Sequence, residues 1–401
     1  MKLYINKNEK ASGVSVSLDD MLLTKDLPTT AGSKMLDGYV SLFGADITDR
    51  LKDAGICVSG KANVGEFGID LLGETSYFGA CTDDKGALTL ASAEIVKSGE
   101  VKAAITLDVN GAPRRCAALS GLTYVKPTYG TVSRYGTIPA ACSGECVGVM
   151  AKNADDCADI LSVIAGHDDK DGTSLPEEKC ALLKKDAPTD EIKSVAVIKN
   201  IADTADDATK ARLDAVKSAL ANAGITVTEI ECDVMSAAKT AWSVLMCAEL
   251  CNNVSRYDGV KYGHRAAEYK TIGELYTNSR TEAFGELAKT AILYGSEVLS
   301  DDNYMPVYDK SMRVRRVICE AFASIFEKFD AVLMPACQKT AYTEADVVEN
   351  KYIAFDEALY TAPALITGLP AVISGGVQLM GKAFSDMALL SLAKIIEKEG
   401  K

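Results

Sequence analysis

The chain has 401 residues, of which 48% are hydrophobic and 25% are charged. This composition is typical of a globular protein and excludes a disordered chain. The 43 basic and 56 acidic residues give a net charge of −13, which disfavours a general role in binding nucleic acid phosphates. Residues 1–10 lack the apolar stretch of a signal peptide, and no run of about 20 apolar residues indicates a membrane span. Twelve scattered cysteines favour a reducing compartment, so we predict a cytoplasmic protein that contacts neither membranes nor nucleic acid directly.

The hydrophobic pattern of the first half alternates between strands and helices. The predicted elements, in chain order, are a half-buried strand in which Val14, Val16 and Leu18 alternate with polar residues, a helix over residues 47–54, and strands over residues 56–58 and 103–109. Residues 90–98 predict a further helix, with Thr89 as its N-cap.

The second half continues the same alternation after a polar segment, residues 166–194, which we interpret as a surface excursion. It contains a strand over residues 195–198, an amphipathic helix over residues 206–223 that ends at Gly224, and a strand over residues 225–230. Such alternation predicts a large α/β sheet covered by helices.

Two segments rich in glycine and tyrosine are the most informative: KPTYGTVSRYG at residues 126–136 and SRYDGVKYG at residues 255–263. Each alone indicates only a fixed turn. Together they resemble the amidase signature family, and within it the A subunits of the tRNA-dependent glutamyl/aspartyl amidotransferases. GKANVGEF at residues 60–67 and GLPA at residues 368–371 agree with the same family. The resemblance extends over nearly the whole chain.

The resemblance implies a single large α/β/α domain spanning residues 1–401, with a central mixed sheet of about eleven strands and no cofactor. Two regions are shorter than in the family. Only twelve residues precede Gly13, and residues 372–378 connect directly where the family has a longer hairpin. The family's chemistry is a Ser–cis-Ser–Lys triad: the lysine is the base, the first serine relays the proton, and the second serine attacks the amide. Backbone N–H groups hold the oxyanion.

The position of the family lysine is replaced in this chain. The family segment GIPIAIKD leads without a gap into a threonine-rich stretch, and residues 13–20 and 29–34 match that register. Asp19 therefore stands at the lysine position. Lys25 would serve only after a six-residue shift that breaks the register.

The two serine positions are also replaced. Counting back from Lys126, the nucleophile position falls on Ala112 and the relay position on Leu88. Their separation of 24 residues equals that of the family serines. Ala112 has no attacking atom and Leu88 cannot carry a proton, so we predict that no catalytic residue is intact. Thr89, Ser92 and Cys116 are the nearby substitutes, of which Cys116 is expected to pack in the core.

The resemblance gives a mixed result for the glutamine pocket of the family. Arg315 occupies the position of its basic ligand and Tyr262 keeps its tyrosine, whereas the acidic position falls on Ala358, two residues from Asp356. We predict Arg315 and Tyr262 as weak substrate-binding residues, with a structural ion pair as the alternative for Arg315. Cys247 and Cys251 share a helix face, but no second pair supports a metal site, and none is predicted.

The primary functional prediction is a catalytically inactive paralogue of the amidotransferase A subunit that acts by binding. Its partners would be subunits of the amidotransferase B and C type, or another protein. The first alternative is an active amidase or glutaminase that supplies ammonia for transamidation of Glu-tRNA(Gln) or Asp-tRNA(Asn). The second is a module that binds a small amide through Arg315 and Tyr262.

Overall fold

Eleven strands form the central sheet of the computed structural model, which describes residues 2–399. The described residues contain thirteen strands, of which all but β4 and β5 belong to this sheet: β1 (Tyr4–Lys7), β2 (Ser15–Asp19), β3 (Cys57–Ala62), β4 (Cys81–Thr82), β5 (Leu88–Thr89), β6 (Ala103–Asp108), β7 (Thr123–Lys126), β8 (Cys146–Ala151), β9 (Ser194–Ile198), β10 (Thr226–Ile230), β11 (Ala331–Pro335), β12 (Ala371–Ser374) and β13 (Val377–Gly381). Their order across the sheet is β1-β3-β2-β6-β8-β7-β12-β13-β11-β9-β10, while β4 and β5 form a separate hairpin. The sheet contains both parallel and antiparallel pairs, as predicted.

Helices cover this sheet and complete a single large α/β domain. They are α1 (Asp46–Asp53), α2 (Ala91–Ser98), α3 (Ala112–Ser120), α4 (Ala154–Ile164), α5 (Glu177–Cys180), α6 (Lys199–Ala202), α7 (Asp207–Asn222), α8 (Ala238–Asn253), α9 (Ile272–Ala283), α10 (Glu286–Val298), α11 (Asp301–Asn303), α12 (Lys310–Phe326), α13 (Glu344–Glu349), α14 (Ile353–Thr367) and α15 (Asp386–Glu399). Among residues 2–399, no helix is both long and apolar enough to cross a bilayer. Residues 1, 400 and 401 of the predicted domain lie outside the described part.

The prediction of a half-buried strand near the N-terminus was wrong in one respect. Strand β2 lies between β3 and β6, and Ser17 and Asp19 are as buried as Val16 and Leu18. A central strand is covered on both faces, so the alternation of polar and apolar residues does not mark a solvent-facing side here.

Two later predictions are confirmed in detail. Helix α7 begins where the carboxylate of Asp206 accepts a hydrogen bond from the N–H of Thr209 at 2.7 Å, which caps the helix. The segment after Pro370 forms a hairpin of β12 and β13 with only two connecting residues, Gly375 and Gly376, at φ of 60° and 79°. Two positive φ angles are the requirement of a tight type I′ turn, which glycine meets without strain.

Residues 166–194, the segment predicted as a surface excursion, fold back over the first glycine- and tyrosine-rich motif. The N–H of Leu175 donates to the carbonyl of Gly130 at 2.8 Å, and the hydroxyl of Ser133 donates to Asp168 at 2.6 Å. The segment thus fixes the loop at residues 126–136 from outside.

Candidate active site

Two of the three residues that we predict at the family's catalytic positions meet at one small cavity. Asp19 is the last residue of β2, and Ala112 is the first residue of α3, directly after β6. Both line a cavity of about 10 Å³, which is at the lower limit for one water molecule. Leu88, in β5, does not line this cavity; it is buried with Cys116 in the neighbouring apolar cluster. Leu90 contributes to the cavity wall instead.

The carboxylate of Asp19 is held by backbone groups of two segments, the turn after β2 and strand β6. One oxygen accepts from the N–H of Met21 and the other from the N–H of Leu107, both at 2.8 Å. Burial raises the pKa of Asp19 to about 7, and these two hydrogen bonds oppose the shift. Asp19 therefore ties β2 to β6, and its carboxyl group can exchange a proton near neutral pH.

One backbone donor of the turn before Ala112 is already engaged. The N–H of Gly111 donates to the carboxylate of Asp108 at 2.8 Å, and the same carboxylate pairs with Arg114 at 2.5 Å. A free N–H at a helix start can stabilise a developing oxyanion. Because Asp108 satisfies this one, the Gly111 N–H is not free for that role.

Asp70 is a wall residue of the cavity that the sequence reasoning missed. It is fully buried, one oxygen accepts from the N–H and hydroxyl of Thr75 at 3.0 and 2.8 Å, and the other has no hydrogen-bond partner. A side chain at Gly65 would collide with this carboxyl group. The sequence offered one signal for Asp70: it is a single charged residue among the apolar residues Ile69, Leu71 and Leu72.

Arg115 fixes the backbone around Asp70. Its guanidinium is fully buried and donates to the carbonyls of Asp70, Leu71 and Asn110 at 2.8–3.2 Å. Burial lowers the pKa of Arg115, and the charge of Glu357 opposes that shift. The segment that carries Asp70 is therefore anchored to helix α3.

The three substitute nucleophiles occupy different environments. Helix α2 begins at Ala91 without a side-chain cap, so the prediction that Thr89 caps it was wrong; the Thr89 hydroxyl donates to Glu94 at 3.1 Å. Cys116 packs as expected: burial raises its pKa, and its sulfur accepts from the N–H of Leu90 at 3.2 Å. Ser92 alone of the three lines the cavity.

Arg315 and Tyr262 lie outside this cavity. Arg315 donates to the carbonyl of Ser143 at 3.2 Å, and Tyr262 packs at the surface against Tyr39 with ring centroids 5.6 Å apart. Ala358 is buried within α14. The two predicted binding residues thus contact other parts of the chain, and neither lines the space beside Ala112.

A larger surface cavity lies on the far side of Asp70. It has a volume of about 290 Å³ and is lined by Glu74, Thr75 and residues of α10 and α13. Thr75 lines this surface cavity and Asp70 lines the small one. The hydrogen bonds between Asp70 and Thr75 therefore link the walls of the two cavities.

Comparisons with known proteins agree with the fold and with the motifs. A model of the Amidase family matches residues 4–390. The A subunit of glutamyl-tRNA(Gln) amidotransferase from Symbiobacterium thermophilum is 34% identical over 406 residues, covering 97% of this chain and 83% of the relative. The protein of the same description from Thiobacillus denitrificans is 35% identical, covering 95% and 82%.

Solved structures extend this similarity to the arrangement of the elements. The crystal structure of the glutamyl-tRNA(Gln) amidotransferase A subunit from Thermotoga maritima is similar with a TM-score of 0.82 at 27% identity, covering 99% of this chain and 87% of that chain. A 6-aminohexanoate cyclic dimer hydrolase shares the fold, with a TM-score of 0.80 at 18% identity and coverage of 99% and 89%.

Proposed function

The chain belongs to the amidase family, and we propose that it is a member that has lost amide hydrolysis and acts by binding a partner protein. One observation carries this proposal: Ala112, which we predict to stand at the nucleophile position, lines a cavity of only about 10 Å³. An amide substrate needs both an attacking atom and space beside it.

The surroundings of Ala112 support the same conclusion. Leu90, Pro113 and Asp70 line the cavity, and the N–H of Gly111 is bound to Asp108. A substrate carbonyl would have to displace these contacts before any oxyanion could be stabilised. Acyl transfer needs an attacking atom, space for the substrate and oxyanion donors. Here Ala112 has no attacking atom, the cavity is small, and the Gly111 N–H is already bound.

The choice of partner follows from the relatives. Two proteins that are 34% and 35% identical to this chain are subunits of glutamyl-tRNA(Gln) amidotransferase, and this chain keeps the long motifs at residues 126–136 and 255–263. We propose that it associates with subunits of the amidotransferase B and C type in the cytoplasm.

One observation favours the alternative of an active amidase or glutaminase. Asp19 has a pKa raised to about 7 and lines the cavity together with the hydroxyl-bearing Ser92. A carboxyl group with that pKa is suited to general base catalysis near neutral pH. In this alternative Asp19 would activate Ser92 or a water molecule.

An ammonia-release assay with glutamine and asparagine distinguishes the two. We expect the purified protein, the Ser92→Ala variant and buffer to give the same rate. Ammonia release that follows a titration near pH 7 and disappears in Ser92→Ala would instead establish the altered active site. Thermal melts of both proteins check that the substitution leaves the fold intact.

Co-expression with amidotransferase B- and C-type subunits tests the partner. We expect one complex on gel filtration, weakening between about 50 and 500 mM salt if the partner is basic, since the chain carries a net charge of −13. Elution of this chain as a separate monomer at every salt concentration would contradict the proposed association.

A further inference from the structure

Three consecutive segments form one continuous helix on the surface of the domain. Helix α11, a π-helical turn over Tyr304–Asp309 and helix α12 follow one another without a break from residue 301 to residue 326. The π-helical turn contains Pro306, which has no N–H to donate. Such turns inside α-helices are frequent at functional sites, so the outward side of this helix is a candidate contact surface.

One side of the helix packs on the domain and the other carries exposed apolar side chains. Ile318 and Phe322 of α12 are buried in the core. Tyr304, Met305 and Met312 are instead 46%, 59% and 41% exposed. Aromatic and methionine side chains are enriched in the centres of protein interfaces. The outward side therefore resembles an interface more than a solvated helix face.

The two ends of this outward side carry charges of opposite sign. The acidic end consists of three exposed carboxylates: Glu297, Asp301 and Asp302. A hydrogen bond from the amide of Asn303 at 2.7 Å holds Glu297 beside the start of the helix. The basic end consists of three exposed cations: Lys310, Arg313 and Arg316. At 1.5 Å per residue the two ends lie about 20 Å apart, with the exposed apolar residues between them.

Ion pairs within the helix leave the basic end free to bind a partner. Arg313 pairs with Asp309 at 2.8 Å and Arg316 with Glu320 at 2.7 Å. The two arginine side chains are 69% and 80% exposed, and exposed pairs four residues apart contribute little. A guanidinium has five N–H donors, so each arginine can bind a second carboxylate. Lys310 and the acidic end form no ion pair within the described residues 2–399.

We propose that this surface is a contact between two copies of the chain, packed antiparallel about a twofold axis near Tyr308. The acidic end of each copy then lies against the basic end of the other, and Tyr304, Met305 and Met312 of both copies meet at the centre. A twofold contact requires a surface that is complementary to itself, and the order acidic, apolar, basic meets this requirement. A parallel arrangement is disfavoured because it brings like charges together.

This contact is independent of the chemistry at the closed cavity. It includes none of the residues at the replaced catalytic positions, so the proposal holds whether or not the chain hydrolyses amides. Arg315 lies on the same helix but donates to the carbonyl of Ser143 within the chain, so it is directed away from the proposed contact.

Sedimentation velocity of the full-length protein alone tests the association. We expect a reversible dimer that forms between about 1 and 300 µM, because a contact of one helix per copy is smaller than the about 800 Å² per partner of a standard interface. A salt concentration of about 150 mM screens the repulsion between copies that each carry a net charge of −13. A monomer at every concentration would overturn the proposal.

Reversing the charge of one end tests the antiparallel arrangement. Asp301→Lys with Asp302→Lys gives a helix with two basic ends, and Arg313→Glu with Arg316→Glu gives one with two acidic ends. Each variant alone should dimerise at least about 10-fold more weakly than the parent, since like charges then face each other. An equimolar mixture of the two should recover the parent affinity, because every end meets the opposite charge. A mixture that stays monomeric, or a single variant that dimerises like the parent, would refute this arrangement.

Further variants separate the surface from the overall charge of the chain. Glu178→Lys with Asp207→Lys makes the same change of charge at exposed positions in the first turns of α5 and α7, and it should keep the parent affinity. Met312→Glu places a charge at the apolar centre and should weaken the dimer about 10-fold. Thermal melts check that each variant is folded. Loss of the dimer in the control, or its retention in Met312→Glu, would show that the copies associate elsewhere.

Discussion

Buried carboxyl groups dominate the chemistry of individual residues near the closed cavity. Asp19, Glu66 and Glu74 each have a pKa raised to about 7, because burial outweighs their hydrogen bonds. Glu66 illustrates the balance: it accepts from the hydroxyl of Ser33 at 2.6 Å and from the N–H of Gly285 at 2.8 Å, yet its pKa still rises.

These groups predict an unusual dependence of stability on pH. A carboxyl group with a raised pKa keeps a proton in the folded state that the unfolded chain has released, so stability falls as pH rises. We expect the Tm to decrease from pH 5 to pH 8. Thermal melts across this range measure the slope.

One substitution tests how much of the pH dependence of the Tm comes from Glu66. Glu66→Gln cannot titrate, and its amide can still accept from Gly285 and donate to Ser33, so its Tm should depend less on pH than that of the parent. Glu344→Gln, at an exposed position, should keep the parent slope. A Tm that is flat or rises between pH 5 and pH 8 in the parent would show that these groups are ionised in the fold without strain.

The sequence predicted some cavity residues and missed others for a physical reason. Ala112 could be singled out because the resemblance fixes its separation in sequence from Lys126, across helix α3 and strand β7. Asp70 could not, since its role depends on the close approach of Gly65 and Thr75. Burial of a charge is set by packing between segments, which local sequence patterns do not specify.

At the scale of elements, the first glycine- and tyrosine-rich motif is held by an ion pair. Arg134 donates to the buried carboxylate of Glu145 at 3.1 Å and to Thr173 at 3.1 Å, and its guanidinium lies 5.4 Å from the ring centre of Tyr129. These contacts join the motif to strand β8 and to the segment at residues 166–194. They favour a structural role for Arg134 over an interface role.

Arg134→Ala should therefore destabilise the fold by about 3–5 kcal/mol, because it leaves the Glu145 charge buried and unpaired. Urea unfolding monitored by circular dichroism measures this. In the second motif, Arg256 is exposed and donates only to the carbonyl of Asn253, so Arg256→Ala should cost about 0.5 kcal/mol or less. Equal stability of the Arg134 and Arg256 variants would argue that the first motif is kept for contacts outside the chain.

The turn between β12 and β13 allows a second prediction at the scale of elements, about the backbone conformation of Gly376. Gly376 has a φ of 79°, so Gly376→Ala should lower the free energy of unfolding by about 1–2 kcal/mol. Asparagine tolerates this conformation better than alanine, and Gly376→Asn should cost less. If alanine and asparagine cost the same, the loss would come from the contact with Arg212 rather than from the turn.

At the scale of the whole molecule, the residue pattern alone predicted individual elements and a large sheet covered by helices, whereas the number of strands and their mixed directions were predicted from the resemblance. Strand β2 shows the limit: its pattern of polar and apolar residues suggested one buried face, and its central position buried both. The closure of the cavity is likewise a property of the assembled fold, because Leu90, Pro113 and Asp70 come from three separate segments.

This closure leads to a prediction about restoring the triad. The combined change Asp19→Lys, Leu88→Ser and Ala112→Ser should release no ammonia from glutamine above background. The N–H of Gly111 would still be bound to Asp108, and groups that act as a unit give little rate when any one is absent. Since the combined variant introduces a buried lysine, Ala112→Ser alone, a small change, provides the folded control and should also be inactive.

A further variant combines the restored triad with a larger cavity. Asp70→Gly removes a carboxyl group that lines the small cavity and accepts hydrogen bonds from Thr75 in the wall of the surface cavity, so it enlarges the space near position 112. If space were the only obstacle, Asp70→Gly added to the restored triad would produce measurable ammonia release. We expect none, because the oxyanion donor stays occupied and Leu90 and Pro113 still line the cavity. Release of ammonia by this variant, with a Tm close to that of the parent, would show that the scaffold has remained organised for catalysis. It would also show that, once the triad is restored, the side chain of Asp70 is the remaining obstacle to activity.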